Sequence, residues 1–92
     1  MFFHFSEIVP EPSKNNMKCG PDGSSLRVFD LRNSKATENE CRKKCMDNDQ
    51  CVAYSARWNE WCIGCKVELD EPTMNSEDEN AIAYKKIGID LS

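Results

Sequence analysis

Histidine is almost missing from this chain, and long apolar runs are missing altogether. Of 92 residues only His4 is a histidine, far in sequence from any cysteine that could use it as a base. A Cys-His nucleophile pair is therefore not expected, and His4 reads as an incidental surface residue. Glycine is sparse and no glycine-rich phosphate loop occurs. Carboxylates are plentiful but gather in loop-like stretches, without the apolar setting that would split their pKa values into an acid and a base. The chain is not expected to be an enzyme, and no cofactor is expected. No apolar run approaches the length needed to insert in a membrane. The opening MFFHF is too short for a signal-peptide core and lacks a basic flank. No internal repeat and no N-glycosylation sequon is present. An excess of base is lacking too: the net charge is -4 and the pI near 4.9, which argues against nucleic acid or an anionic membrane surface as partner.

What the chain has is cysteine. Six occur in one small domain, five of them between Thr37 and Cys65. An even count in so short a chain marks a disulfide framework of an oxidising compartment. Each bridge is worth roughly 2–4 kcal/mol, comparable to the net stability of a fold this small. Secretion would make the sequence an excised module or a mature segment. The competing use of cysteine is zinc, with Cys62-x-x-Cys65 and Cys41-x-x-x-Cys45 as ligands and Cys19 and Cys51 to spare. That alternative is a zinc-stabilised intracellular interaction domain, although a strictly alternating strand is a poor setting for a zinc knuckle. CIGC also lacks the helix N-terminus that activates a redox thiolate. A third reading is a small secreted inhibitor.

Residues 1–18 turn from apolar to polar around Pro10 and Pro12 and read as an N-terminal arm or linker; the FFHF cluster fits either a strand or a remnant of a preceding segment. Gly20 to Gly23 suggests a turn. Ser25 to Leu31 is an expected strand in which Phe29 is out of phase with Leu26 and Val28, as a bulge or two buried faces would require. Thr37 with Glu40 forms a capping box for a helix over 38–47, supported by the acid-before-base pairs Glu38–Arg42 and Glu40–Lys44. Cys41 and Cys45 leave one face of it. The run from Cys51 to Trp58 alternates as a half-buried strand, and Asn59 and Glu60 reverse it into Trp61 to Leu69. There Trp61, Ile63, Cys65, Val67 and Leu69 share one face, and Cys62 and Gly64 the other. Residues 70–80 are an acidic solvated loop, Ala81 to Ile87 a last strand, and 88–92 a tail.

Surface recognition is the chemistry that remains. Tyr54, Arg57 and Trp58 cluster near the hairpin tip, and aromatics with arginine dominate interface energies and stack on sugar rings. Trp61, on the consistently apolar face, reads as core; Trp58 fits core and surface equally. Arg42, Lys43 and Lys44 form a basic helix face, ordinary for an exposed helix, which an anionic ligand such as a heparan-type glycan would need.

The order of these elements, a first cysteine, a strand, ENECRKKC on a helix, five residues and then CVAYSARWNEWC and a final strand, resembles the PAN/apple domain family over Cys19 to about Ile87. Its members include N-terminal domains of plasminogen and hepatocyte growth factor, apple domains of prekallikrein, leech antiplatelet proteins and apicomplexan microneme adhesins. The resemblance implies an α+β fold, a disulfide-rich module at 19–87 with a curved antiparallel sheet of about five strands under one helix. It also implies an extracellular, non-enzymatic adhesion role with a protein or carbohydrate ligand, as one module of a larger secreted or surface protein, host-cell attachment being one such role. By the family's pattern Cys45 pairs with Cys51 and Cys41 with a cysteine of the hairpin's second strand. This chain departs by placing two cysteines there and none in the last strand. Spacing from Cys51 favours Cys62 as the helix partner, whereas alternation favours Cys65, on the face with Ile63 and Val67. The preferred expectation is Cys41–Cys65 with Cys19–Cys62, the alternative being Cys41–Cys62 with Cys19–Cys65.

Overall fold

The helix forms where its capping residues place it. In the computed structural model, which describes residues 3–20, 24–72 and 80–91, α1 spans Glu38–Asp47 and starts from an extended Thr37 whose Oγ1 accepts a hydrogen bond from Glu40 N at 3.2 Å. That bond satisfies one of the amides a first turn leaves unpaired. At the other end the chain supplies a cation from far away in sequence. Lys86 Nζ donates to the carbonyls of Cys45 at 2.9 Å and Asn48 at 3.1 Å, against the negative end of the helix dipole.

Beneath the helix lies a five-stranded antiparallel sheet in the order β1-β7-β4-β5-β3, formed by β1 (Phe3–Pro10), β3 (Arg27–Arg32), β4 (Ala53–Arg57), β5 (Trp61–Cys65) and β7 (Ile82–Leu91). A two-stranded sheet pairs β2 (Met17–Lys18) with β6 (Glu71–Pro72). The fold is thus α+β and disulfide-rich. Strand β4 is central and buried on both faces from Ala53 to Ala56, which corrects the half-buried reading of its alternation. One face packs under α1 with Tyr54, Ala56 and Cys62; the other holds Ala53, Trp61, Ile63 and Cys65 against Cys19, Leu69 and Ala81.

This two-sided burial decides the bridges. Cys41 joins Cys62, Cys19 joins Cys65 and Cys45 joins Cys51, so the preferred pairing of Cys41 with Cys65 and Cys19 with Cys62 is corrected to its alternative. The apolar face of β5 is indeed core, but what covers it is the segment around Met17 and Cys19 with Leu69 and Ala81, not the helix. The helix sits on the face with less side-chain volume, Cys62 and Gly64. The missing volume there is supplied by Phe29 from β3, whose ring occupies the space a Gly64 side chain would need.

Strand β3 slips register between Arg27 and Phe29, so the phase slip in the sequence is a bulge at Val28. It lets Val28 and Phe29 both pack on the helix side while Leu26 packs on the far core. In the N-terminal arm the strand alternative is the one found. Residues 3–10 are an edge strand of the main sheet, in register with β7 from Phe3↔Leu91 to Pro10↔Tyr84, and Ile8 is buried beneath the helix. Pro10 misled because an edge strand tolerates its missing N–H. The expected tail, residues 88–91, is the second half of the same ribbon. The polar stretch that read as linker is pinned: Asn15 Oδ1 accepts from Ala83 N at 2.9 Å and Asn16 Oδ1 from Asn80 N at 2.7 Å. Of the acidic loop, residues 73–79 lie outside the described residues, as do residues 21–23 of the expected glycine turn.

Candidate ligand-binding site

Cys41 and Cys45 tie the inner face of α1 to the protein, and this sets what its other faces can do. Glu38 and Arg42 lie one turn apart on α1 and are exposed, whereas Glu40, Lys43, Lys44 and Asp47 line a shallow surface depression. In the sheet, at its seam with the helix, Tyr54 of β4 and Tyr84 of β7 are direct cross-strand partners. Their rings stack with centroids 4.9 Å apart and 20° between planes. Trp58 completes the group, its ring 6.0 Å from that of Tyr84 at 46°. Tyr54 is wholly buried, while Trp58 and Tyr84 are half-buried at the surface.

The tip carrying Trp58 is held from two sides. Arg57 to Glu60 form a turn with Glu60 N bonded to Arg57 O at 3.0 Å, and Asn59, at φ 68°, supplies the left-handed residue its third position needs. Asn59 N donates to Ala36 O at 2.8 Å and Asn33 N to Glu60 O at 3.0 Å. The hairpin tip is thus fastened to the lead-in of the helix, so the indole and the helix flank keep one mutual geometry.

The electrostatics follow the same arrangement. Burial pushes the Tyr84 hydroxyl above its usual pKa, with the Glu38 carboxylate adding to the rise and the Arg42 guanidinium opposing it. Tyr54 is raised further, again chiefly by burial, with Arg42 opposing, and its Oη has no hydrogen-bond partner among the described residues. Both tyrosines are therefore neutral phenols at physiological pH, and the seam presents aromatic surface beside one acid and one base.

The sequence candidates divide. Trp58 packs beside Tyr84 at the surface, and the Arg42 charge acts on both tyrosines. Tyr54 lies behind that surface, fully buried; it supports Tyr84 and is closed to a ligand, because the central strand has helix above and a second core layer below. Arg57 has the strand parity of Ala53 and Ser55, on the far side of the sheet from Tyr54, and pairs with Glu60 at 3.0 Å. Lys43 and Lys44 sit on the outer helix face among the acids Glu40 and Asp47. Trp61 is core, at 6% exposure. Sequence reasoning missed Tyr84 and Glu38 as members of the site. Tyr84 carries no signal of its own, since only the β4–β7 register places it on Tyr54, and Glu38 was legible only as helix support for Arg42.

All six sulfurs are engaged in bridges, which leaves the zinc-held alternative without cysteine ligands. A family model described as a PAN-like domain matches residues 13–71. No curated protein and no solved structure matches the chain.

Proposed function

The chain belongs to the PAN-like domain family, and from that membership together with the aromatic seam we propose that it is a recognition module that binds its ligand at Trp58, Tyr84, Glu38 and Arg42. Domains of this family are in general modules that bind protein or carbohydrate, and they are typically not catalysts. A disulfide-rich domain of this kind suggests an extracellular or secretory setting. In our reading the module works in adhesion, as one part of a larger secreted or surface protein, and host-cell attachment is one such role.

The observation that carries this reading is the pair of half-exposed rings locked on a buried third ring. Large aromatic side chains at a surface favour binding when their position is fixed beforehand, because little conformational entropy is then lost on contact. Stacking on Tyr54 and the hydrogen bonds at the hairpin tip supply that fixation. Lys43 and Lys44 contribute less, because Glu40 and Asp47 on either side of them offset much of their field.

The test compares the native chain with Trp58→Ala and Arg42→Glu in binding to cell surfaces and to arrays of extracellular proteins and glycans. Saturable binding that both variants lose, with unchanged circular dichroism, is the expected result. Binding lost in Lys43→Glu and retained in Trp58→Ala would move the site to the outer helix face and refute the seam.

A further inference from the structure

The two edges of the main sheet are built differently. At one edge β3 carries Arg27, Asp30 and Arg32 among its six residues and is interrupted by the bulge at Val28. Charges and bulges are the devices that keep an edge strand from pairing with another chain. At the other edge β1 runs eight residues, Phe3 to Pro10, in unbroken register with β7. It contains neither Lys nor Arg, and its proline stands at the last position, where it blocks nothing before it.

The hydrogen-bond phase shows which backbone groups that edge offers. Glu11 N donates to Ala83 O at 2.9 Å, one step past the Pro10↔Tyr84 pair, so the odd-numbered residues of β1 direct their amides and carbonyls at β7. Lys86 N donates to Val52 O at 2.8 Å, which turns the even-numbered residues of β7 toward β4 and agrees with that phase. His4, Ser6 and Ile8 therefore point their backbone groups outward, where the sheet order places no further strand among the described residues. An extended strand is the occupant such an edge takes.

Strand β1 itself meets the requirement. We propose that two copies of this chain associate by antiparallel pairing of their β1 strands, with Ser6 opposite Ser6 on a two-fold axis, His4 opposite Ile8, Phe5 opposite Glu7 and Phe3 opposite Val9. A two-fold axis normal to the sheet pairs residues of equal parity, so the helix side of one copy continues as the helix side of the other. Neighbouring registers are worse. One centred on Glu7 sets two carboxylates opposite each other and brings Pro10, which has no N–H, to a hydrogen-bonding position. One centred on Phe5 pairs only residues 3–7 within the strand. Met46, exposed on the helix side, stands near this edge and supplies apolar surface there: its carbonyl is bonded by Lys86, the register partner of Ile8. The dimer turns both copies of Trp58 and Tyr84 to one side, so a surface with repeated ligands is engaged twice.

The experiment is sedimentation equilibrium of the native chain joined to amide hydrogen exchange at low and high concentration. One strand pair makes a small interface, so the expected result is a reversible dimer with a dissociation constant of about 10 to about 300 µM. As it forms, the amides of His4 and Ser6 should gain protection, while those of Phe5, Glu7 and Val9 are protected throughout. Ser6→Pro removes only an outward N–H and should weaken association about tenfold or more; Ser6→Ala, which keeps the N–H, should dimerise like the native chain. Should Ser6→Pro fail to fold, the exchange pattern of the native chain still decides. A monomer up to about 1 mM would overturn the inference. So would a dimer whose new protection falls on Gly88 of β7 or on Asp30 and Arg32 of β3, or one in which His4 and Ser6 stay open. Trp58→Ala should dimerise unchanged, so this inference and the ligand site fail separately.

Discussion

Gly64 and Phe29 offer a quantitative check on how the helix side of the sheet is filled. A Cβ built on Gly64 falls 2.5 Å from Phe29 Cζ and nearer still to Cδ2 and Cε2, so alanine there must displace a ring packed against the core under α1. Forcing extra volume into a filled core costs about 1–3 kcal/mol. With about 4–8 °C lost per kcal/mol in a domain of this size, Gly64→Ala should melt visibly earlier. Phe29→Ala should itself cost about 2 kcal/mol or more, since a partly buried ring loses less than the full value of a core phenylalanine. In the Phe29→Ala background the clash is gone, and alanine in a strand is better than glycine by about 0.5–1 kcal/mol. The second substitution should then be neutral or stabilising, giving a coupling of about 2 kcal/mol. Urea titrations of the four proteins, with slopes compared to confirm a two-state transition, measure it. A coupling below about 0.5 kcal/mol would mean that Phe29 does not lie over Gly64, and the bulged register of β3 would fall with it.

Lys86→Met keeps the aliphatic stem and removes three hydrogen bonds to the carbonyls of Cys45, Met46 and Asn48; unfolding free energy should drop by about 1–2 kcal/mol, and an unchanged midpoint would show that the lysine does not cap the helix. Intact mass should rise by six hydrogens on reduction, and fragmentation of the non-reduced protein should link Cys41 to Cys62 and Cys19 to Cys65. A Cys41–Cys65 link would reverse the assignment of the helix to a face of β5. Both tyrosines have raised folded-state pKa values, chiefly from burial, so their neutral forms are favoured by folding. The stability this confers is fully present below the unfolded value of about 10 and is lost as pH rises through the folded values. Tyrosinate absorbance of the native protein should therefore appear only above about pH 10, together with loss of structure; a reversible titration at the ordinary value without unfolding would place the rings in water.

The helix was legible to the residue because its signals are local: a capping threonine, acid-before-base pairs and two cysteines one turn apart all act within ten residues of chain. The disulfide-rich α+β class and the core position of Trp61 were legible for similar reasons, and the bulge in β3 was one of the two readings that its phase slip left open. Composition and alternation report burial. The identity of whatever does the burying is a different quantity. The alternation of β5 correctly marked Ile63 and Cys65 as buried yet did not say whether helix or loop lay over them. Only the packing of Met17, Cys19, Leu69 and Ala81 on that face, and of Phe29 over Gly64 on the other, sent Cys41 to Cys62. The same limit left the strand in the N-terminal arm undecided, since the partner that makes residues 3–10 a strand is about eighty positions away in the register Phe3↔Leu91. At the candidate site, the sequence by itself supplied Trp58 and Arg42 as recognition types, with Trp58 left open between core and surface. The pairing of β4 with β7 stacked Tyr84 on a buried Tyr54, and the packing of α1 brought the Glu38 charge within range of Tyr84. A side chain's chemistry belongs to its residue, but its neighbours are chosen by strand order and register, and in this protein those were decided only when the chain ends closed onto the middle of the sheet.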